Sequence, residues 1–289
     1  MTEPRRPAAA AWLAVTALVA LLGSAGAAAL PLSDAQILAA YDYLLARALV
    51  AARQHDELEH GMTWNQLVHR DAPSPAEPDV LLSDAWIALD DASCAVLSLP
   101  AAGGRYLDAQ LIDGWGTTLA HVNPRRYPYH PSGEFALCRR GARSALPRGA
   151  ERLELPVSIV RLRVRVAVGA DLYAARRLQQ QIALVSTGSP APPESVCLPP
   201  FSQAPLPGLE MFDNADALLR DAPDPAPDAD RAQQAVRAVA AALANPLQRN
   251  RVETVIQRQA IPRVQLARLR LGALENGWLR WQPLAGSVD

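Results

Sequence analysis

The chain has 289 residues, half of them hydrophobic, and its 28 basic residues nearly balance its 29 acidic ones, which leaves a formal net charge of −1. A chain of this length and apolar content can bury a core in one large domain or two modest ones. Nucleic-acid-binding proteins usually carry an excess of basic residues, so the balanced charge argues against that class of partner.

The amino terminus has the pattern of an export signal. Arg5 and Arg6 precede an apolar run over residues 8–22, and small residues follow, with alanine at positions 25 and 27. This pattern is typical of a cleaved signal peptide, here residues 1–29. If the segment is retained, residues 8–30 are long enough to anchor the chain in a membrane, for which about 20 residues suffice. Both alternatives place the protein in the periplasm or the cell envelope.

The next elements change from helical to strand-like periodicity. Apolar residues recur at helical spacing from Ile37 to Leu49 and predict a helix that ends near Arg53. Short apolar runs then alternate with turn-like segments, which predicts an antiparallel β-meander. The runs cover residues 85–89, 94–99 and 105–113.

Later segments predict two more strands and then a series of helices. The order of helix, sheet and helices indicates the α+β class, with a sandwich-like β core. The acidic, proline-rich stretch at 221–228 has the character of a linker. We therefore expect a domain at residues 30–228 and a helical extension at residues 229–289. The predicted strands cover residues 134–138 and 157–168, and the predicted helices cover residues 171–184, 209–220, 229–244, 251–259 and 264–274.

The cysteines argue against a zinc site, because none of the three forms a C-x-x-C pair. Cys94 and Cys138 lie in strand-like segments, and an oxidising compartment would allow them to form a disulfide that leaves Cys197 unpaired. The alternative is that the cysteines are free and act as small buried hydrophobic residues.

Arginine alternates with apolar residues along the strand at 157–168. Arg161, Arg163 and Arg165 therefore share one face of that strand. One interpretation is a solvated face above an apolar underside. The other is an anion-binding stripe, because guanidinium groups match the geometry of carboxylates and phosphates.

Motifs with a known catalytic mechanism are missing from the sequence: it has no G-x-S-x-G elbow, P-loop, G-x-G-x-x-G or H-E-x-x-H. His55 and His60 flank acidic residues, but this spacing matches no recognised set of metal ligands. We therefore predict no metal site, and the sequence does not identify a cofactor.

Asp113 lies at the end of the third apolar run. A carboxylate that faces the inside of a sheet needs a partner or a function. Arg105 and Arg163 are the evident partners for it. A structural salt bridge and a catalytic acid both remain open, and the salt bridge is the favoured alternative.

Short motifs spread along the chain carry a resemblance to a known family. They are Ser83-Asp84-Ala85-Trp86, Val96-Leu97-Ser98-Leu99-Pro100, Gly104-Arg105-Tyr106, Gln110-Leu111-Ile112-Asp113, Arg163, Ala170-Asp171-Leu172, Met211-Phe212 and Asn276-Gly277-Trp278. Together they resemble the family called domain of unknown function 1254 over most of the chain from about residue 37. The resemblance implies an exported, β-rich body with helical additions and no agreed activity.

Two features depart from the family pattern. The family usually reads N-x-D-T-x-Y-S before the first strand, and only Asp79 and Ser83 remain of that motif here. Members commonly continue into a jelly-roll module, domain of unknown function 1214, whereas this chain stops at Asp289. The resemblance therefore implies a second module that is either absent or supplied by a separate polypeptide.

Three functions follow as hypotheses. The first is an envelope protein that binds a small polar ligand or a separate jelly-roll chain. The second is a hydrolase or other enzyme that uses Asp79, Asp113 and Arg163, with or without a divalent metal, and the third is a degenerate family member with a structural role. The candidate ligand-binding residues are Asp79, Trp86, Arg105, Tyr106, Asp113, Trp115 and Arg163.

Overall fold

The structure is a computed structural model. The predicted signal or anchor at residues 1–30 lies outside the residues that it describes. Those residues are 32–75, 77–193, 196–198, 206–220, 222–224, 226–270, 273–275 and 278–280.

The predicted amino-terminal helix is present as α1 (Asp34–Glu59) and continues past its predicted end at Arg53. Arg53 and Glu57 form an ion pair of 3.0 Å one helical turn apart, which supports the extra turn. The chain leaves the helix at Gly61, whose φ of +101° suits glycine better than any residue with a Cβ. The buried apolar face of α1 consists of Ile37, Ala40, Tyr41, Leu44, Leu45, Ala48 and Ala51.

The strands form two large sheets and one small one within the described part of the chain. The five-stranded sheet has the order β1-β2-β8-β4-β5, and all its neighbours are antiparallel. The four-stranded sheet has the order β7-β6-β3-β9, and only β6 and β7 are parallel. The strands are β1 (Val68–His69), β2 (Val80–Ala88), β3 (Cys94–Leu99), β4 (Leu107–Ile112), β5 (Thr118–Val122), β6 (Gly133–Arg139), β7 (Glu151–Leu155), β8 (Ile159–Ala167), β9 (Ala183–Ser186), β10 (Ala273–Glu275) and β11 (Trp278–Arg280).

The α+β class is confirmed, while the strand order differs from a simple meander. The predicted runs form β2, β3 and β4, but these strands do not pair with one another. Instead β3 joins the four-stranded sheet, and β8 lies between β2 and β4. Short turns are compatible with either arrangement, so the local pattern did not distinguish them.

An apolar cluster draws its side chains from both large sheets. Alternate residues of β8, Leu162, Val164 and Val166, lie in this cluster and are fully buried. Leu97 of β3 and Phe135 of β6 contribute from the other sheet. The period-2 pattern therefore buries one face of each sheet and leaves the arginine-bearing face of β8 outside the cluster.

The disulfide alternative is the one observed. Cys94 of β3 lies directly opposite Cys138 of β6, and their sulfur atoms are bonded. The bond joins residues 44 positions apart in the sequence. Cys197 is free and exposed.

The remaining helices differ from prediction in several places, and the helix predicted at 209–220 is divided in two at Asn214. The helix predicted at 171–184 ends early, because residues from Ala183 onward pair with β3 as strand β9. The predicted carboxy-terminal helix also ends early and is followed by the β10–β11 pair. The helices are α2 (Leu172–Gln179), α3 (Glu210–Asp213), α4 (Ala215–Arg220), α5 (Ala229–Ala242), α6 (Pro246–Val255), a π-helical turn (Ile256–Ala260) and α7 (Ile261–Arg270).

By length and composition alone, α1 is apolar enough to cross a membrane. This is weak evidence, because a buried core helix has the same character. The buried face of α1 packs against α5 and the other carboxy-terminal helices, and its Arg47 is 2% exposed. These contacts fit a helix of the protein core.

Candidate functional site

A groove of about 800 Å³ opens between the turn before β4, the end of β8 and helix α2. We call it the groove throughout. Alanine and glycine form most of its wall, and its polar side chains are Arg105, Tyr106, Arg177 and Gln181. No aspartate or glutamate occurs among the described residues that line it. The groove therefore carries an excess of positive charge.

Arg105 is held in place by backbone carbonyl groups. Its guanidinium donates to the oxygen of Ala167 at 2.7 Å and to that of Val168. Gly169 lies beneath it with a φ of +58°, and a Cβ there would stand 3.3 Å from Nη1 of Arg105. The acceptors are neutral, so they orient the guanidinium without cancelling its charge.

The second cation of the groove, Arg177, is placed by helix α2. Its guanidinium carbon lies 5.0 Å from the ring centroid of Tyr173, a distance typical of a cation–π contact. Asp171 caps the same helix, since its carboxylate accepts the N–H of Ala174 at 2.9 Å. The cap fixes the start of α2 and thereby the direction in which Arg177 extends.

A dense network of charged side chains covers the other face of the five-stranded sheet. Asp84 is at its centre, with a side chain that is 2% exposed. It accepts from Nε of Arg163 at 3.0 Å and from Nε of Arg70 at 3.1 Å. We call this surface the polar face; it consists of Asp84, Asp108, Gln110, His121, Arg161, Arg163 and Arg165.

The arginine stripe of β8 is paired within the chain. Burial by itself raises the pKa of Asp84, but Arg163 and Arg161 outweigh it and bring that pKa below its ordinary value. Glu77 bridges Arg163 at 3.4 Å and Arg165 at 2.9 Å. Neither sequence-based interpretation of the stripe anticipated this internal pairing.

Trp86 connects the polar face to α1. Its indole N–H donates to Glu57 at 2.9 Å, and the same carboxylate accepts from Arg161 at 2.9 Å. The Arg161 guanidinium also lies 5.3 Å from the centroid of the Trp86 ring. Burial lowers the pKa of Arg161 to about 10, and Glu57 acts in the opposite direction. Trp86 is 1% exposed, so its side chain is part of the packed interior.

The polar face also holds a histidine next to a buried aspartate. Nδ1 of His121 lies 2.9 Å from Oδ1 of Asp108, whose side chain is 4% exposed. Asn123 donates to the same oxygen at 2.9 Å. Nη1 of Arg165 is 3.7 Å from the other oxygen of Asp108.

Another histidine contact resembles a nucleophile and its base, but it is buried. Nδ1 of His69 lies 2.8 Å from the hydroxyl of Ser83, and Gln179 donates to that hydroxyl at 3.2 Å. Burial lowers the pKa of His69, against the effect of the Ile182 carbonyl. Ser83 is fully buried, so the contact fastens α2 to the sheet rather than presenting a nucleophile.

Asp113 closes the turn between β4 and β5. Its Oδ1 accepts the N–H of Trp115 at 2.9 Å and that of Thr117 at 2.8 Å. Its Oδ2 is buried without a hydrogen-bond partner in the structure. Burial raises the pKa of Asp113, the two N–H donors oppose this, and the nearby Asp224 adds to the rise.

The β4–β5 turn is fixed against α1 and a proline-rich segment. The indole N–H of Trp115 donates to the carbonyl of Ala222 at 2.9 Å. The ring of Tyr43 lies 4.5 Å from that of Trp115, and its hydroxyl donates to Asp224 at 2.9 Å. Asp224 belongs to the segment predicted as a linker, so part of that segment is packed on the fold.

Residues 62–186 match the family model described as "Protein of unknown function (DUF1254)". These residues form a DUF1254 region. The resemblance seen in the sequence is thus confirmed for this part of the chain. Both the groove and the polar face lie almost entirely within the DUF1254 region, whereas Tyr43 and Asp224 lie outside it.

The fold of most of the chain has a counterpart among solved structures. The VPA0106 protein from Vibrio parahaemolyticus is similar with a TM-score of 0.61 at 16% identity, over 83% of this chain and 60% of that one. The chain thus spans about 60% of the length of that structure. An uncharacterised protein from Burkholderia cenocepacia aligns with a TM-score of 0.30 at 18% identity, over 68% of this chain and 48% of that one. No curated protein matches the sequence.

The predicted site residues of the DUF1254 region do not converge on one site. Arg105 and Tyr106 line the groove. Trp86 and Arg163 belong to the charged network, and Arg163 bonds to Asp84 rather than to Asp113. Asp113 and Trp115 lie at the opposite end of β4, in the β4–β5 turn. Asp79 is exposed at the start of β2, where its backbone carbonyl accepts the N–H of Val168.

Four residues of interest were not predicted: Arg177 and Gln181 in the groove, and Asp108 with His121 on the polar face. The polar alternation of Asp108 and Gln110 along β4 was an available signal for the last pair. Among the described residues, no three or more His, Cys, Asp or Glu side chains are grouped to hold a metal ion.

We expect Asp113→Asn to be at least as stable as the wild type at pH 7, and Asp113→Ala to be about 1–3 kcal/mol less stable. Asparagine keeps the oxygen that accepts two N–H groups and removes a buried charge, whereas alanine loses both hydrogen bonds. The pKa of Asp113 is raised in the folded state. The free energy of unfolding of the wild type should therefore rise relative to that of the Asn variant as pH falls toward the ordinary carboxyl pKa. Urea unfolding at pH 7 and pH 4.5 measures this.

An Asn variant that is markedly less stable than the wild type at pH 7 would contradict this structural assignment of Asp113. Asp56→Asn is the matched control, because Asp56 is an exposed carboxylate at the end of α1, 70% exposed.

Proposed function

We propose that the protein is an exported envelope protein that binds a small anionic molecule in the groove. The observation that carries this proposal is the groove lining, in which Arg105 and Arg177 face a space of about 800 Å³ and no described lining residue is an aspartate or a glutamate. Concave sites with a few convergent polar groups are the usual places for small ligands. Two guanidinium groups there favour a carboxylate or a phosphate over a neutral molecule.

The walls of the groove support the same ligand class. Ala101, Ala102, Gly103 and Gly104 leave room for a ligand to approach the backbone of the turn before β4. The carbonyl contacts of Arg105 hold its guanidinium in one orientation before a ligand arrives, which reduces the entropy cost of binding. Gln181 and Tyr106 add neutral hydrogen-bonding groups.

Export is the second part of the proposal. The sequence pattern of residues 1–29 supports it. The Cys94–Cys138 disulfide is a further support, because disulfides persist mainly in oxidising compartments. Fractionation of cells that express the full chain, followed by mass spectrometry of the amino terminus, distinguishes a cleaved signal from a retained anchor.

Titration calorimetry with inorganic phosphate tests the groove. We expect Arg177→Gln to weaken binding about tenfold, because a charge-assisted hydrogen bond contributes about 1.5–3 kcal/mol. Ala174→Glu, which puts a carboxylate into the wall of the groove, should abolish binding. Arg148→Gln removes one exposed cation elsewhere and serves as the matched control. Unchanged affinity in both groove variants would contradict the proposal.

A separate jelly-roll chain remains a second proposal. Strand β9 supports it, because it is an edge of the four-stranded sheet and its Val185 is 63% exposed. Edge strands are common sites for strand addition by another β protein. Co-purification from the native host tests it, and we expect a β-rich partner to be recovered with the wild type but not with Val185→Lys. Recovery of the wild-type chain alone, or of the same amount of partner with Val185→Lys, would count against it.

A further inference from the structure

The polar face contains a second site, separate from the groove, in which a buried aspartate holds an exposed histidine. The Asp108 side chain is 4% exposed and that of His121 is 43% exposed. Asn123 fixes Asp108 from the other side, and Asn123 is itself fixed because its Oδ1 accepts the N–H groups of Arg125 and Arg126 at 3.0 and 2.9 Å. The imidazole is therefore held in one orientation by groups that do not depend on solvent.

The hydrogen bond to Asp108 determines which nitrogen of His121 is free. A carboxylate oxygen accepts, so Nδ1 of His121 is the donor in this hydrogen bond. Nε2 is then the nitrogen that can act as a base, on a side chain that is 43% exposed. An imidazole whose Nδ1–H donates to a buried aspartate is the arrangement that activates a histidine base in hydrolases.

A guanidinium group contacts the other oxygen of the carboxylate that holds this histidine. Arg165 contacts the same carboxylate, with Nη1 at 3.7 Å from Oδ2 of Asp108, and is held by Gln110 at 2.7 Å and Glu77 at 2.9 Å. Its side chain is 24% exposed. Arg165 is therefore a further group that fixes the carboxylate to which His121 is bound.

We propose that His121 is a general base for ester hydrolysis on the polar face. Nε2 of His121 removes a proton from water while the water oxygen bonds to the ester carbonyl carbon. The bond from that carbon to the alcohol oxygen then breaks, and the proton passes from the imidazolium to the leaving oxygen, so an ester and water become a carboxylic acid and an alcohol. Asp108 stabilises the imidazolium that forms in this step.

The contact between His69 and Ser83 does not offer the same chemistry, since Ser83 is fully buried. A better internal control is the pair of His60 and Asp56 at the end of α1. Its nitrogen and oxygen are 3.2 Å apart, but the two side chains are 78% and 70% exposed. It therefore presents a histidine next to an aspartate without the buried support that Asp108 gives to His121.

Hydrolysis of p-nitrophenyl acetate by the folded protein tests the proposal. We expect His121→Gln to lower kcat/KM at least tenfold at unchanged Tm, and His60→Gln to leave it unchanged. Long-range proton–nitrogen spectra should show the Nδ1–H tautomer for His121, and Asp108→Ala, which removes the acceptor, should lose the preference for that tautomer and slow hydrolysis. A wild-type rate in His121→Gln, or an Asp108→Ala variant that keeps both tautomer and rate, would overturn the proposal. The phosphate affinity of His121→Gln should equal that of the wild type. This measurement distinguishes a failure of the hydrolysis proposal from a failure of the groove proposal.

Discussion

Replacing Asp84 with alanine is expected to lower the free energy of unfolding by about 3–5 kcal/mol, because it leaves buried cations without their counter-charge. Arg163 and Arg161 lie within 3.0 and 3.6 Å of this carboxylate and are themselves only 15% and 9% exposed. Urea denaturation at pH 7 measures the change. Asp91→Ala is the matched control: it also removes an arginine–aspartate pair of 2.9 Å, but one that is 76% exposed at the carboxylate, and such pairs contribute about 1 kcal/mol or less.

The contribution of Asp84 also depends on pH. Its folded-state pKa lies below the ordinary value, so its stabilisation is present above the unfolded-state pKa and is lost as pH falls through the folded-state pKa. The difference between the wild type and Asp84→Ala should therefore shrink in acid. An Asp84→Ala variant that unfolds at the same urea concentration as Asp91→Ala would contradict the role given to the charged network.

Loss of the disulfide is expected to lower the free energy of unfolding by an amount comparable to that of Asp84→Ala. The bond joins β3 and β6 across 44 positions of sequence, and removing a native disulfide typically costs about 2–5 kcal/mol. The double variant Cys94→Ala, Cys138→Ala should therefore show a lowered Tm, while Cys197→Ser, at an exposed free thiol, should not. Equal Tm values for the double variant and the wild type would show that the β3–β6 pairing needs no covalent support.

Much of the secondary structure follows from local periodicity. The helical spacing of Ile37 to Leu49 and the alternation along β8 each reflect burial on one side of an element, and both elements are present. The assignment of β3 to a second sheet depends on contacts far apart in sequence, such as Cys94 opposite Cys138. For the same reason, residues from Ala183 continued a helical pattern in the sequence but pair with β3 in the fold.

The candidate site was predictable only in part. Arg105 and Tyr106 were predicted as ligand-binding residues of the sheet face, within a motif that carries the family resemblance, and they line the groove. Arg177 joins them from α2 through the packing of that helix on the sheet, which no local pattern encodes. Asp108 and His121 meet because of the register between β4 and β5, in which Gln110 lies opposite His121.

The partners of the Asp113 carboxylate differ from those predicted. Its strand-like spacing suggested an inward carboxylate that pairs with Arg105 or Arg163. The strand ends at Ile112 instead, so Asp113 turns its carboxylate onto the N–H groups of the following turn. The change from strand to turn within one residue is what the alternation pattern did not resolve.

The most direct test of the central claim, that the groove holds a small anion, is a titration of the isotope-labelled protein with phosphate, followed by amide proton–nitrogen spectra. We expect the shift changes to concentrate at Gly103, Gly104 and Arg105, at Gly169 and Ala170, and along the exposed side of α2 around Ala174 and Arg177. Shift changes that are absent from these amides, or that concentrate on the polar face around His121, would contradict it.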